Sequence, residues 1–444
     1  MKNFKLSITL GVLWTMISAL ACEAQNITAE LQQKVVTSIG QQMKDRYVFP
    51  KVADQMANYL EKQLQAKAYQ KANTPLMFAS LLTRDLQKIS KDKHIRVRFN
   101  PRMAKQLASG APRKPNPDLI RQRKAQEKSR NYGFTKVEIL SGNIGYVDLR
   151  GFHNPKDGAK TVESVMGFLA NTEGVIFDVR RNGGGRPDMV QLICSYFFGP
   201  KPVHLNSLYW RKGDRTQEFW TLKEVKGQRM PEKPLYVLTS GNTFSAAEEF
   251  SYNLQNLKRA TLIGETTGGG ANPGGRFPIQ NQFMVFIPTG RAINPITKTN
   301  WEGVGVVPHI KVPSSQALDK AHLDLLTKLK AKGKVSPGVD WALVGLEAKL
   351  HPKVVSQKVL KSYAGDFTNR KIIFQNNQLY YQRPGLSKQL KKMIPMGSEV
   401  FAIDGHPDFR IKFKKGSNGQ IEALEGMYSS GRRDLSKRGS IKSR

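Results

Sequence analysis

From Ile27 to Tyr47 the apolar residues Leu31, Val35, Ile39 and Met43 recur at four-residue steps, behind a Thr28 placed as a helix cap with Gln32 four positions on. That period predicts an amphipathic helix. "PKVADQMANYLEKQLQ" and "TPLMFASLLTRDLQKIS" carry a similar stripe and a proline at their start, so residues 25–110 read as an N-terminal helical domain built on three helices. Residues 111–134, which open with "APRKPNPDLIRQRKAQEKSR", are proline-rich and then basic. They read as a linker with one short helix, too short to hold an extra peptide-binding β-domain.

The pattern then changes period. "TKVEILSGNIGYVDLRGF" predicts a hairpin around Ser141-Gly142-Asn143; "AKTVESVMGFLANTEG" a helix; "VIFDVR" a continuous apolar strand; and "RPDMVQLICSYFF" a helix again. "PLYVLTS", a helix from Ser245, "ATLIGE" and "QFMVFIPTG" continue the alternation, and a helix over 314–332 closes it. Strands without polar alternation, separated by helices, predict an α/β core over 135–335 whose sheet is covered on both faces. Past the break "VSPGVD", short stretches such as "KIIFQNNQLYYQRP", "FRIKFKK" and "IEALEG" predict a small antiparallel β module over 354–444, ending in a basic tail.

Composition adds compartment and partners. In 444 residues, 39% hydrophobic, there is room for two or three domains. The first 24 residues place Lys2 and Lys5 before "LSITLGVLWTMISALA", the order of a secretory signal, with cleavage after Ala21 or Ala24. An exported chain, periplasmic or secreted, is the expectation. "ALAC" also raises lipid attachment at Cys22, although Ala19 stands where a large apolar residue is usual. Past the signal, Cys194 lies in an apolar helical run and reads as a buried structural thiol, so neither a disulfide framework nor a cysteine-ligated metal is expected, and no cofactor. A net charge of +35 favours anionic surfaces. With the basic residues spread throughout and no nucleic-acid-binding motif, contact with anionic membrane or cell-wall polymer is expected rather than with nucleic acid.

Two stretches carry chemistry. In "VIFDVRRNGGGRPDMV" a buried strand runs into Gly183, Gly184 and Gly185 and then a helix, and such a run can present bare N–H groups to an oxyanion or phosphate. A phosphate loop would want Lys followed by Ser or Thr, and here stands Arg186-Pro187. In "LTSGNTFSAAEEF" a second strand turns into a helix with Ser245 at the seam, where its hydroxyl faces a positive helix end and the Ala246 amide. Ser245 also fits a plain N-cap, with Glu248 three residues on completing a capping box, and local sequence leaves both roles open.

Together "GNIGYVDLRGF", "VIFDVRRNGGG", "LTSGNTFSAAEEF", "LIGETTGGG" and "WEGVGVVPHI", in that order across 143–312, resemble the tail-specific, C-terminal-processing family of serine peptidases, which includes the tricorn protease and the interphotoreceptor retinoid-binding protein. The resemblance implies a ClpP/crotonase-like βαβ spiral, Ser245 as nucleophile, and Gly184, Gly185 and Ala246 around the oxyanion. The family's Ser/Lys branch carries a lysine where this chain has Gly270, and no lysine occurs from Arg259 to Arg291. The tricorn-like branch instead implies His94 as base and Glu302 as the carboxylate that orients it. Lys93 stands where that pattern has a hydroxyl residue, and His309 where the family often has Asp. The resemblance thus leads to an exported endopeptidase acting on polypeptides through a Ser-His-Glu relay. Two other readings stay open: a non-catalytic binder of apolar ligands on the same scaffold, and a surface interaction protein with a decayed site, in which His94 merely flanks a strand and Glu302 holds a loop.

Overall fold

A computed structural model describes residues 27–109, 117–333, 338–397 and 399–439. The leader and Cys22 lie outside the described residues, as does the start of the basic linker. Its centre is a six-stranded sheet. Beginning at one edge, the strands Phe134–Leu140 and Ile144–Leu149 form the predicted antiparallel hairpin, and Gly174–Asp178, Leu235–Thr239, Thr261–Gly264 and Ile310–Lys311 then add in parallel, each beside its predecessor. An order that steps in one direction puts successive right-handed crossovers on one face. The helices Pro155–Leu169, Pro187–Ser195 and Ala246–Asn256 accordingly share a core there.

Strand residues divide between the faces with period two. Val175, Phe177 and Val237 pack with Val190 and Phe250 on the crossover side, whereas Ile176, Tyr236 and Leu238 meet Ala321 and Leu325 of the helix Ala317–Ala331 on the other. Both faces are therefore buried, which is why these strands read as unbroken apolar runs. Cys194 belongs to the first core, fully buried, and burial pushes its thiol well up, in keeping with a structural role.

The three predicted helices form as Ala29–Arg46, Pro50–Gln65 and Pro75–Ser90, the first and third capped by Thr28 and Thr74. They do not close on themselves. The strand Arg96–Phe99 pairs with Phe283–Pro288, and that with Gly274–Ile279, so Ile279, Phe283, Val285 and Ile287 fill the helical core. The segment "QFMVFIPTG", expected within the central α/β sheet, thus belongs to the N-terminal layer, and the helical unit over 25–110 contains a strand. The hairpin His204–Trp210 and Arg215–Trp220, which pairs with Gly290–Ile293, was not anticipated either. At the C-terminal end, eight antiparallel strands from Gly365 to Lys437 follow one another in chain order, the β module expected there. Among the described residues no helix is long and apolar enough to cross a membrane.

Candidate active site

The carboxyl ends of neighbouring parallel strands carry the two chemical stretches, and buried hydrogen bonds fasten them together. After Gly174–Asp178, Asn182 is fully buried; its amide donates to the Leu149 carbonyl (3.0 Å), its Oδ1 accepts from Gly184 N–H (2.9 Å), and its backbone oxygen accepts from Phe244 N–H (3.0 Å). Thr243 Oγ1 donates to the Val179 carbonyl (2.8 Å). One loop therefore sets the position of the other.

At the seam Ser245 has φ 56° and ψ −122°, a conformation costly for a residue with a Cβ. Ser245 and Glu248 form the capping box that the sequence offered, and the first-turn amides of Glu248 and Glu249 also meet the Ser245 carbonyl oxygen (2.8 and 2.9 Å), so the helix start does not rest on the hydroxyl alone. A Cβ on Gly184 would lie 2.8 Å from both Ser245 Cβ and Ala246 N, so the glycine loop lies directly against the serine turn. Gly184 has φ 101°, and a Cβ on Gly185 would fall 2.0 Å from the Phe152 carbonyl oxygen, so both positions demand glycine. The Gly184 N–H is taken by Asn182, while those of Gly185 and Ala246 make no backbone hydrogen bond among the described residues. Those two amides are the available donors.

The structure brings His94 to this place from the other layer. It follows the left-handed Lys91 that ends the helix Pro75–Ser90, and its ring lies 4.6 Å from that of Phe244, the residue before Ser245, and 6.0 Å from Phe286. His94 Nδ1 is 3.6 Å from Asp92 Oδ1, and Asp92, His94 and Glu302 each place one ligating atom within 4.8 Å of the others. His94 Nδ1 and Glu302 Oε1 are both buried without a hydrogen-bond partner, and the Ser245 hydroxyl is not hydrogen bonded to the imidazole. Glu302 is held by the Ala271 N–H (2.5 Å); burial, with Asp92 close by, pushes its carboxyl up to about 8.

Sequence reasoning passed over two residues here. Asp92, fully buried, accepts from His94 N–H (3.0 Å), Tyr47 hydroxyl (3.3 Å) and the Asn272 amide (2.9 Å), and is the carboxylate whose contact with the imidazole is the best defined. Glu248, noted as a capping residue, accepts from Ser245 N–H (2.8 Å), Thr267 Oγ1 (2.5 Å), Gly269 N–H (2.6 Å) and Gly270 N–H (2.8 Å). It ties the serine turn to the glycine-rich segment after the next strand, and burial raises its carboxyl despite those donors. Lys93 donates to the Gly268 carbonyl (2.6 Å), and His309 Nδ1 accepts from Leu262 N–H (2.9 Å), so both departures from the family pattern have structural occupations. Asp92, His94 and Glu302 are also the set that could share a cation among the described residues.

A serine at a strained strand-to-helix turn, beside a glycine loop and a half-buried imidazole, defines a parallel α/β protein with the parts of an acyl-transfer site. Residues 143–312 match the model of peptidase family S41, and residues 19–138 match the N-terminal domain of peptidase S41 in eukaryotic IRBP. The chain belongs to peptidase family S41. It is 25% identical over 178 residues to a carboxy-terminal-processing protease of Bartonella bacilliformis, covering 39% of each chain. It is 24% identical over 199 residues to the carboxy-terminal processing protease CtpB of Bacillus subtilis, 44% of this chain and 39% of that one. The chain thus spans about two fifths of the length of these relatives. Among solved structures, the photosystem II D1 C-terminal processing protease aligns with a TM-score of 0.40 and 14% identity over 65% of this chain and 94% of that one.

Proposed function

We propose that the chain is an exported serine endopeptidase acting on polypeptides. The observation that carries this reading is Ser245 at φ 56°, pressed against the Gly184–Gly185 turn and following Phe244, whose ring packs on His94. Ser245 Oγ attacks the peptide carbonyl carbon while His94 takes its proton. The oxyanion is received by the N–H groups of Gly185 and Ala246, with Gly184 shaping the turn, and His94 returns the proton to the leaving amine. Water then repeats the sequence on the acyl-enzyme. Asp92 supports the charge on the imidazole, and Glu302 helps to hold its tautomer. A Ser245–His94 hydrogen bond that forms only when substrate fills the cleft suits a free enzyme, in which catalytic contacts are often long. The apolar-ligand reading fits the cleft poorly, because Lys93, Arg96, Arg98 and Arg276 line it. Export rests on the leader over residues 1–24.

A fluorophosphonate probe tests the assignment. Labelling mapped to Ser245 by mass spectrometry, and abolished in His94→Ala, is expected. A folded sample that takes up no label, or takes it up equally without His94, would remove the proposed relay.

A further inference from the structure

Beside His94 and Phe244 opens a cleft of about 400 Å³ whose walls carry Lys93, Arg96, Arg98 and Arg276 together with Met284 and Phe286. Among the described residues no Asp or Glu lines it. The strand register explains how the cations come together. Arg96 stands opposite Phe286, which on its other side stands opposite Arg276, and Arg98 stands opposite Met284. These residues therefore share one face of the three-stranded sheet, two arginines flanking a phenylalanine in one row and a third in the next. The other face holds Val97, Val285 and Ile287 in the core, so the basic face cannot turn away from the cleft.

Arg96, Arg98 and Arg276 are exposed, and none is in an ion pair among the described residues; only Lys93 is anchored, on the Gly268 carbonyl. Asp92, fully buried beside Lys93, is committed to Tyr47 and Asn272. Like charges in neighbouring rows of one sheet face oppose each other. Their repulsion is offset when a ligand brings negative charge, and guanidinium groups suit carboxylates by their planar fork. Resting on the peptidase reading of Ser245, we propose that this face is a substrate subsite that selects Asp or Glu side chains close to the scissile bond, with Phe286 and Met284 receiving their methylene stems.

Internally quenched peptides, blocked at both ends and differing only in Asp/Glu against Asn/Gln at the central positions, give the test. Turnover is read with the wild-type protein, and binding by fluorescence anisotropy with Ser245→Ala. Acidic peptides are expected to be favoured by about tenfold at low ionic strength, with the preference shrinking in salt. In Arg96→Gln/Arg98→Gln/Arg276→Gln the ratio should fall towards one, and in Arg276→Gln alone part of the way, with circular dichroism confirming the fold. Lys388→Gln/Lys437→Gln, which removes charge from the C-terminal strands, should leave it in place. Equal handling of acidic and neutral peptides, a preference that survives the arginine substitutions or is lost in the lysine control, or one that tracks a free C-terminal carboxylate, would overturn the proposal. Arginine-dependent binding of acidic peptides without any turnover would uphold the subsite while removing the peptidase reading.

Discussion

Gly270 and His94 compete for one space: a Cβ on Gly270 would lie 2.8 Å from His94 Cε1 and 2.3 Å from Phe244 Cζ. The place where the resemblance puts the lysine of the Ser/Lys branch is thus closed to any side chain by the Phe244 ring and the imidazole together. Gly270→Ala is therefore expected to push His94 or Phe244 aside, lowering kcat/KM by about 10² with little loss of fold. Peptide turnover set against thermal unfolding checks it; unchanged turnover would show that the space at Gly270 does not govern the placing of His94.

Asp92 and Glu302 should not contribute alike near pH 7. The Glu302 carboxyl, raised to about 8, is largely protonated there, whereas Asp92 Oδ1 stands 3.6 Å from His94 Nδ1. Asp92→Asn is expected to lower kcat/KM by about 10² or more and to move the acidic limb of its pH profile; Glu302→Gln should cost under about tenfold at pH 7. The pH profiles separate a relay role from loss of the Tyr47 and Asn272 contacts, since purely structural damage would lower activity without moving the limb.

Glu248 should behave as the fastener of the site. Its carboxylate takes N–H or O–H donors from Ser245, Thr267, Gly269 and Gly270, so Glu248→Ala strands several buried donors at once. A loss of about 2–4 kcal/mol in unfolding free energy is expected, together with loss of fluorophosphonate labelling at Ser245. Denaturant titration and labelling of the same preparation check both; labelling at the wild-type rate would separate the Glu248 network from the serine turn.

Much of this was legible in the chain, and the boundary is physical. The unbroken strands, the crossover helices and the serine at a strand-to-helix seam are local patterns of period and turn chemistry, and they formed as read. The pairing of Arg96–Phe99 with Phe283–Pro288 is not local, and a segment such as "QFMVFIPTG" has the same apolar run wherever it pairs. Asp92 escaped notice for a similar reason. In "KDKHIR" it reads as one acid among cations, and its partner Asn272 lies 180 positions away. The left-handed Lys91, which turns the chain so that Asp92 goes inward and His94 reaches the cleft, carries no glycine or asparagine to announce it.

Glu302 also predicts a pH dependence of stability. Its folded value, about 8, lies above the ordinary 4.5, so the folded state holds a proton that the unfolded chain releases between those values. The stabilisation from this group is complete below pH 4.5 and is lost as pH rises through 8. Glu302→Gln keeps an oxygen for the Ala271 N–H and removes the titration. The difference in unfolding free energy between pH 6 and pH 9 should shrink by on the order of 1–2 kcal/mol in the variant. Urea titrations at the two pH values measure it, and an unchanged difference would mean that Glu302 is already ionised in the folded protein.

The same three side chains predict a response to metal. Asp92, His94 and Glu302 can offer one atom each to a single cation, and the unpartnered His94 Nδ1 and Glu302 Oε1 are among the atoms it would take. A bound Zn²⁺ would hold the imidazole against rotation and oppose the positive charge that His94 must acquire as base. Zn²⁺ is expected to inhibit peptide turnover reversibly, with EDTA restoring the rate and EDTA alone leaving it unchanged, and Asp92→Asn should weaken the inhibition. Activity lost on chelation and regained with Zn²⁺ would reverse the assignment, making the cluster a metal centre and His94 its ligand rather than the base for Ser245.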